Sequence, residues 1–134
     1  MIINGYIDYT FRNRTNIPLT ISCNNHFLNK NKLSRIAKNI DINIREGIYT
    51  WTLGPSYETP SEVDNIITLG GHAVGMSTIP EIIKAQKLNI PILGVSCLTN
   101  YAAGLVEGQL THHDVVSVAN SIRNKFSQFI SEVI

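Results

Sequence analysis

The chain has 134 residues, enough for one domain, and chains of this size bury roughly two-thirds of the surface their unfolded form exposes. Apolar residues make up 43%, which supplies a core, and the formal net charge is +1 with scattered basic residues, which leaves no nucleic-acid footprint. No run approaches the roughly 18 apolar residues of a membrane span, and the opening MIINGYIDYTF lacks the basic lead and cleavage site of a signal peptide. Cys23 and Cys97 have no partners at metal-ligand spacing and, with no secretory signal, read as reduced thiols of a cytoplasmic protein.

Residues 1–22 hold no lasting periodicity and read as one strand followed by a loop. Opening directly on an apolar strand is expected of a fold that begins further upstream. Over residues 29–39, Leu33, Ile36 and Ala37 fall at helical spacing, and Lys30, Lys32, Arg35 and Lys38 form the solvated face of that helix. Residues 41–45 alternate polar and apolar, and Glu46-Gly47 reads as a turn. Residues 48–53 (IYTWTL) are β-branched and aromatic, the clearest strand, closed by Gly54-Pro55-Ser56. A helix starts at Thr59-Pro60-Ser61-Glu62, where Thr59 caps, Pro60 suits the first helical position and Glu62 completes a capping box. It turns Val63, Ile66, Ile67 and Leu69 inward and stops at Gly70-Gly71. Residues 73–76 form a short strand, and Ser77 or Thr78 caps a helix that faces Ile79, Ile82, Ile83 and Ala85 inward. The apolar run 90–98 (IPILGVSCL) reads as a strand covered on both faces. Residues 101–110 read as a loop or partly helical insert. Residues 114–133 form a long amphipathic helix with apolar positions at 115, 118, 119, 122, 126, 129, 130 and 133. The pattern predicts a single α/β domain over residues 1–134, mostly parallel βαβ units with a long C-terminal helix.

Parallel sheets bind ligands at the carboxyl ends of their strands. Three such ends, residues 54–58, 75–77 and 96–100, are expected to converge on one rim. Gly54 admits a close backbone approach to a ligand, and equally a plain turn. Glu58 precedes a helix N-terminus, where a carboxylate favours the dipole, so it reads as electrostatic capping or as a ligand contact. Ser77 is placed either to cap the next helix or to hold an anion there. Tyr57 and Met76 read as core filler, Thr99-Asn100 as a turn, and His112-His113 as surface residues ahead of the last helix. The histidines do not pair with carboxylates at metal-ligand spacing, and no serine or cysteine sits in a nucleophile elbow. Gly70-Gly71 lacks the Lys-Ser/Thr of a Walker loop.

Three of these stretches together are specific. GPSYETPSEV at 54–63, LGGHAVGMSTIPEI at 69–82 and GVSCLTNYAAGL at 94–105 resemble the C-terminal half of the trimeric-type purine nucleoside phosphorylases. That family carries a G-P-[ST]-[FY]-E-[TS] turn, an A-V-G-M-S-T-[VI]-P-E block and an S-x-[IL]-T-N segment in this order. The resemblance is strong over residues 47–100 and looser to the C-terminus. The opening residues 1–19 are similar, more weakly, to an internal family segment.

The resemblance implies a glycosyltransferase of purine salvage that uses inorganic phosphate to split a nucleoside into free base and ribose 1-phosphate, with no further cofactor. By the same resemblance, Glu58 hydrogen-bonds the purine ring and Asn100 donates to the ring nitrogen that gains charge as the base leaves. Tyr57 lies by the base and Val74 lines the same pocket. Met76 lies under the ribose, Ser77 contacts phosphate, and His113 (His112 being one residue away) matches the histidine near the ribose 5′-hydroxyl. Asn100, where related methylthioadenosine phosphorylases carry aspartate, favours 6-oxopurines such as inosine and guanosine. The family's remaining phosphate ligands belong to its N-terminal half: a serine in a glycine-rich loop, an arginine and a histidine. They have no counterpart here, and the family's D-H motif reads Gly5-Tyr6. The expectation is therefore a partial phosphorylase fold that works beside a separately encoded N-terminal half, or as a homotrimer. An inactive remnant, a weak purine binder and a methylthioadenosine phosphorylase-like enzyme are the alternatives.

Overall fold

The computed structural model describes residues 1–12, 19–22, 29–106 and 111–133. In chain order the elements are β1 (Ile2–Asp8), β2 (Leu19–Ser22), α1 (Lys30–Asn39), β3 (Glu46–Trp51), α2 (Pro60–Thr68), β4 (Ala73–Gly75), α3 (Ile79–Lys87) and α4 (His112–Val133). They form one mixed sheet in the order β2-β1-β3-β4. β1, β3 and β4 run parallel, and β2 pairs antiparallel with the other edge of β1.

The α/β architecture with a long C-terminal helix is as the sequence predicts. The centre of the sheet, however, is β1, from the stretch whose pattern is least legible. Its side chains Ile3 and Ile7 are fully buried. A bulge between Ile3 and Gly5 breaks the two-residue alternation, so Ile3 and Tyr6 share a face. On that face they pack with Tyr49, Ile79 and Ile82, bringing α3 onto the sheet. Ile2 instead joins Leu33, Ile36, Ala37, Ile40 and Phe129, the cluster that holds α1 and α4.

Local signals set α1 and α2 well. Asn29 accepts the Lys32 amide at 3.1 Å and caps α1. Thr59 and Glu62 form the expected reciprocal capping box, with Pro60 in the first turn of α2. At the far end of α2, the Gly70 amide bonds Ile67 and the Gly71 amide bonds Ile66, which closes the last carbonyls in a Schellman motif.

Several expectations are corrected. Residues 90–98 are not a strand covered on both faces. They are extended chain with one isolated antiparallel bridge, Val95 to Ile2. The Ile3 amide donates to Gly94 at 2.9 Å and the Ser96 amide to Met1 at 2.8 Å. The reason is edge occupancy: β3 takes one edge of β1 and β2 takes the other from Gly5 to Asp8, which leaves only the first residues of β1 for this segment. Pro91, with no amide hydrogen, also cannot extend a ladder.

Glu46-Gly47 is not a turn but the start of β3, paired with Ile2 and Ile3. In α2 only Val63 and Ile66 are buried, while Ile67 and Leu69 are exposed, because a nine-residue helix turns one narrow stripe to the sheet. Of the apolar stripe of α4, Phe129 is buried, but Val118 and Ala119 face outward. His113 lies within the first turn of α4 rather than ahead of it. Thr78 is the N-cap of α3, yet its side chain makes no capping bond. Cys97 is a free thiol, and partial burial pushes it up from its ordinary value. Cys23 lies outside the described residues. No helix among the described residues is long and apolar enough to cross a membrane.

Candidate active site

β3 and β4 lie side by side and in parallel, so their carboxyl ends open on the same rim. The register pairs Thr50 with Val74 and Trp51 with Gly75, and the Thr52 amide continues it with a 3.0 Å bond to the Gly75 carbonyl. This pairing sets the GPSYE turn beside Met76 and Ser77. The sulfur of Met76 lies directly against Gly54.

Glu58 is the charged group of this rim. It is half-buried, and its Oε1 accepts a 2.7 Å bond from the buried Thr52 hydroxyl, leaving Oε2 for a ligand. The peptide before Pro55 is cis. Tyr57 and Met76 are exposed, and Val74 in β4 is half-buried. An exposed aromatic and thioether beside one held carboxylate suits a flat, heterocyclic ligand with a hydrogen-bond donor on its edge.

Ser77 leaves β4 next to Tyr49, which comes from the middle of β3 and is buried. The Tyr49 hydroxyl lies against Gly75, where a Cβ would collide with the oxygen. The Ser77 and Thr78 hydroxyls stand 3.3 Å apart. Burial raises the Tyr49 hydroxyl above its ordinary value of 10, the polar groups of Thr78 and Ser77 pull it back, and the charge of Glu58 adds to the rise. Glu58 and the Ser77 turn therefore share one electrostatic neighbourhood. An open cleft of about 380 Å³ adjoins this turn, lined by Ser77, Thr78, Glu81 and Ile82 on one side and by residues 92–95 on the other.

The third strand end does not join this rim as a strand. At Val95 the chain runs antiparallel to β1, toward the amino end of the sheet. It then returns, and Gly104 packs on Pro60 at the start of α2. Asn100 lies on this return. Its side chain accepts from the Thr99 hydroxyl at 2.6 Å and donates to the Tyr101 carbonyl at 2.8 Å, bonds that stay within its own segment. His113 is exposed near the start of α4, a helix anchored to the rest of the protein through Phe129 near its other end. The structure thus brings Glu58, Val74, Met76 and Ser77 together. It leaves Asn100 on a neighbouring loop and His113 at a helix tip.

Two positions of this rim have no signal of their own in the sequence: Thr52, which holds Glu58, and Tyr49, whose hydroxyl lies against Gly75. The β-branched and aromatic run 48–53 marks both as strand residues and nothing more. Among the described residues no group of three or more His, Cys, Asp or Glu side chains gathers in a way that would hold a metal ion.

Residues 1–134 match the family model of the phosphorylase superfamily. A Bacillus subtilis protein named purine nucleoside phosphorylase 1 is 42% identical over 100 residues, which is 75% of this chain and 37% of that protein. A probable 6-oxopurine nucleoside phosphorylase of Dictyoglomus turgidum is 38% identical over 106 residues, 78% of this chain and 40% of that one. In fold, the chain superposes on isoform 2 of the Schistosoma mansoni purine nucleoside phosphorylase, solved with cytosine and ribose-1-phosphate, with a TM-score of 0.81 and 26% identity. That match covers 99% of this chain and 52% of the other. The chain thus spans about two-fifths of the length of these curated relatives and about half of the solved structure. With a family match along all of its residues, the chain belongs to the phosphorylase superfamily, as a member of its nucleoside phosphorylases that covers part of the family fold.

Proposed function

We propose that this chain is the base- and ribose-holding part of a purine nucleoside phosphorylase. The reaction is phosphorolysis of 6-oxopurine nucleosides such as inosine and guanosine, or their deoxy forms, to free base and (deoxy)ribose 1-phosphate. Inorganic phosphate is the co-substrate and no cofactor takes part. The observation that carries this reading is the Thr52–Glu58 bond beside Met76 and Ser77 on adjacent strand ends. It holds an acceptor for the purine edge next to an apolar ledge and a hydroxyl.

In this reaction the bond from the anomeric carbon to the purine nitrogen breaks, its electron pair stays with the base, and a phosphate oxygen bonds the anomeric carbon. Glu58 accepts from a ring N–H and so fixes the base. Asn100 turns its amide away from Thr99 and Tyr101 to donate to the ring nitrogen that gains charge, and a donor aimed at developing charge is worth about 2.7–4 kcal/mol in other enzymes. Tyr57 and Val74 flank the base, Met76 supports the ribose, Ser77 contacts phosphate, and His113 or its neighbour His112 meets the 5′-hydroxyl. The remaining phosphate ligands come from a separately encoded N-terminal half, in a cytoplasmic complex or homotrimer.

A second reading, purine binding without turnover, is favoured by the short span of the chain relative to its relatives. The test mixes the purified chain with inosine and phosphate, alone and with a separately expressed N-terminal half from a relative, and follows hypoxanthine release. Turnover in the mixture alone is the expected result. Turnover by the chain alone removes the need for a second half. Hypoxanthine binding in calorimetry with no turnover in either arm selects the binder, and neither binding nor turnover overturns both readings.

A further inference from the structure

We infer that the extended segment at residues 92–97 is the docking edge for the N-terminal half: a β-strand of that half pairs along its open side and fills the cleft beside Ser77. The inference rests on the reading that the remaining phosphate ligands arrive on a separate half. Hydrogen-bond direction is the first observation. The Ile3 amide donates to Gly94 and the Ser96 amide to Met1, so Ile2 and Val95 face each other as a non-hydrogen-bonded antiparallel pair. Each residue of such a pair turns its own N–H and C=O to the far side. Ile2 does so toward β3, donating to the Arg45 carbonyl at 2.7 Å. Val95 does so with nothing opposite. Among the described residues no hydrogen bond reaches the backbone of Leu93, Val95 or Cys97, which alternate along one open edge.

The second observation is what the segment is made of. Leu93 and Val95 pack against the cluster of Ile2 and Phe129, and Ile92 against that of Ile3 and Ile82. Apolar residues toward both faces mark a strand of a sheet interior. The edges on which this sheet does end are short, four residues in β2 and three in β4, as protected edges are. Residues 88–106, by contrast, hold no charged side chain, the usual guard against further pairing. The third observation is the cleft of about 380 Å³, which Ile82, Ile92, Leu93 and Val95 line together with the Ser77-Thr78 turn. A strand laid along residues 92–97 reaches that cleft, and so brings its own side chains to Ser77. The occupant follows from the fold: the chain superposes over 99% of its length on only 52% of the Schistosoma mansoni structure. Half of that fold is therefore not supplied by these residues, and an interior strand with one open edge is where it would join. A second copy of this chain would cover the edge but bring no new phosphate ligand.

The test mixes the 134-residue chain with the separately expressed N-terminal half of the Bacillus subtilis relative and reads amide hydrogen exchange by NMR. In the chain alone the amides of Leu93, Val95 and Cys97 are expected to exchange fast, and those of Ile3 and Ser96 slowly. In the mixture the three open amides are expected to slow about tenfold or more. Val95→Pro removes one outward donor and leaves the Gly94 and Ser96 bonds to β1 in place. It is expected to weaken binding of the half about tenfold, the range of one ladder bond. If the half binds without slowing these amides, or binds a folded Val95→Pro protein at full affinity, the docking edge is wrong while the reading of a separate half stands. If the half does not bind, that reading fails and the docking edge falls with it. Slowing in the chain alone that grows with its concentration gives the edge to a second copy and also overturns the proposal. Should Val95→Pro not fold, the exchange pattern of the wild type decides.

Discussion

The Thr52 hydroxyl donates a 2.7 Å hydrogen bond to Glu58 Oε1, across the turn that joins β3 to α2. Thr52 is buried and Glu58 half-buried, so the bond is shielded from competing water on one side only. It fixes one carboxylate oxygen and so orients the other. Thr52→Val keeps the shape and removes the donor, and loss of one such bond is worth about 1 kcal/mol. Hypoxanthine affinity is expected to fall about fivefold, with the melting temperature changed by no more than about 3 °C. Calorimetry on both proteins checks this. Unchanged affinity in a folded Thr52→Val protein would show that Glu58 needs no holding.

Glu62 gives a pH signature to α2. The Thr59 amide and hydroxyl both donate to its Oε2 at 2.8 Å, which holds its carboxyl below the ordinary 4.5. Because the folded value is the lower one, folding favours the ionised form. The contribution is complete above about pH 4.5 and is lost as pH falls through the lowered folded value. Asp41 and Asp114 are shifted in the same direction, by Lys125 and Thr111, so a single titration does not separate them. Glu62→Gln retains the capping geometry and removes only the charge. The melting-temperature gap between wild type and Glu62→Gln is expected to be widest near pH 6 and to close as pH falls through the lowered folded value of Glu62. A gap that is constant with pH contradicts the charged cap.

What the sequence made legible was what local chemistry decides. Thr59, Pro60, Glu62 and Gly70 bound α2 within one turn of chain, and each signal acts on its own neighbours. Glu58, Met76 and Ser77 were legible because their types and spacing form motifs. β1 was obscured by its bulge, since a register shift between Ile3 and Gly5 erases the alternation by which a strand is recognised. Residues 90–98 misled for a different reason. An apolar run reports that a segment is covered, but not which sheet edge is still open to pair with it. Thr52 acts through a partner across the β3–α2 turn, and nothing in its immediate sequence marks that partner.

Gly104 and Gly70 separate backbone strain from close approach. Both have left-handed φ, 83° and 86°, but a Cβ on Gly70 meets open space while one on Gly104 would stand 2.9 Å from Pro60 Cβ. Gly70→Ala is expected to cost about 1 kcal/mol, the conformational term alone. Gly104→Ala adds a displacement of the loop that carries Asn100, for a total of about 2 kcal/mol or more. Urea unfolding measures both costs. The loop displacement is further expected to lower turnover in the complemented enzyme more than Gly70→Ala does. Equal effects of the two substitutions would mean that the Gly104–Pro60 contact places nothing.

α4 is fastened at one end. Phe129 is 2% exposed and packs with Leu33, Ile36, Ala37 and Ile40 of the α1 region, with Ile130 and Val133 beside it. The Lys125–Asp41 pair is exposed and, like most surface ion pairs, adds little. Nearer the start of the helix, Val116 and Val118 face outward. Phe129→Ala is therefore expected to cost about 3–5 kcal/mol, enough to release the helix and His113 with it. Val116→Ser is expected to stay within about 0.5 kcal/mol. Hydrogen exchange reads the same asymmetry along the backbone, with protection high around Phe129 and declining toward His113. Uniform protection along α4, or a tolerated Phe129→Ala, would require another surface to cover the exposed valines.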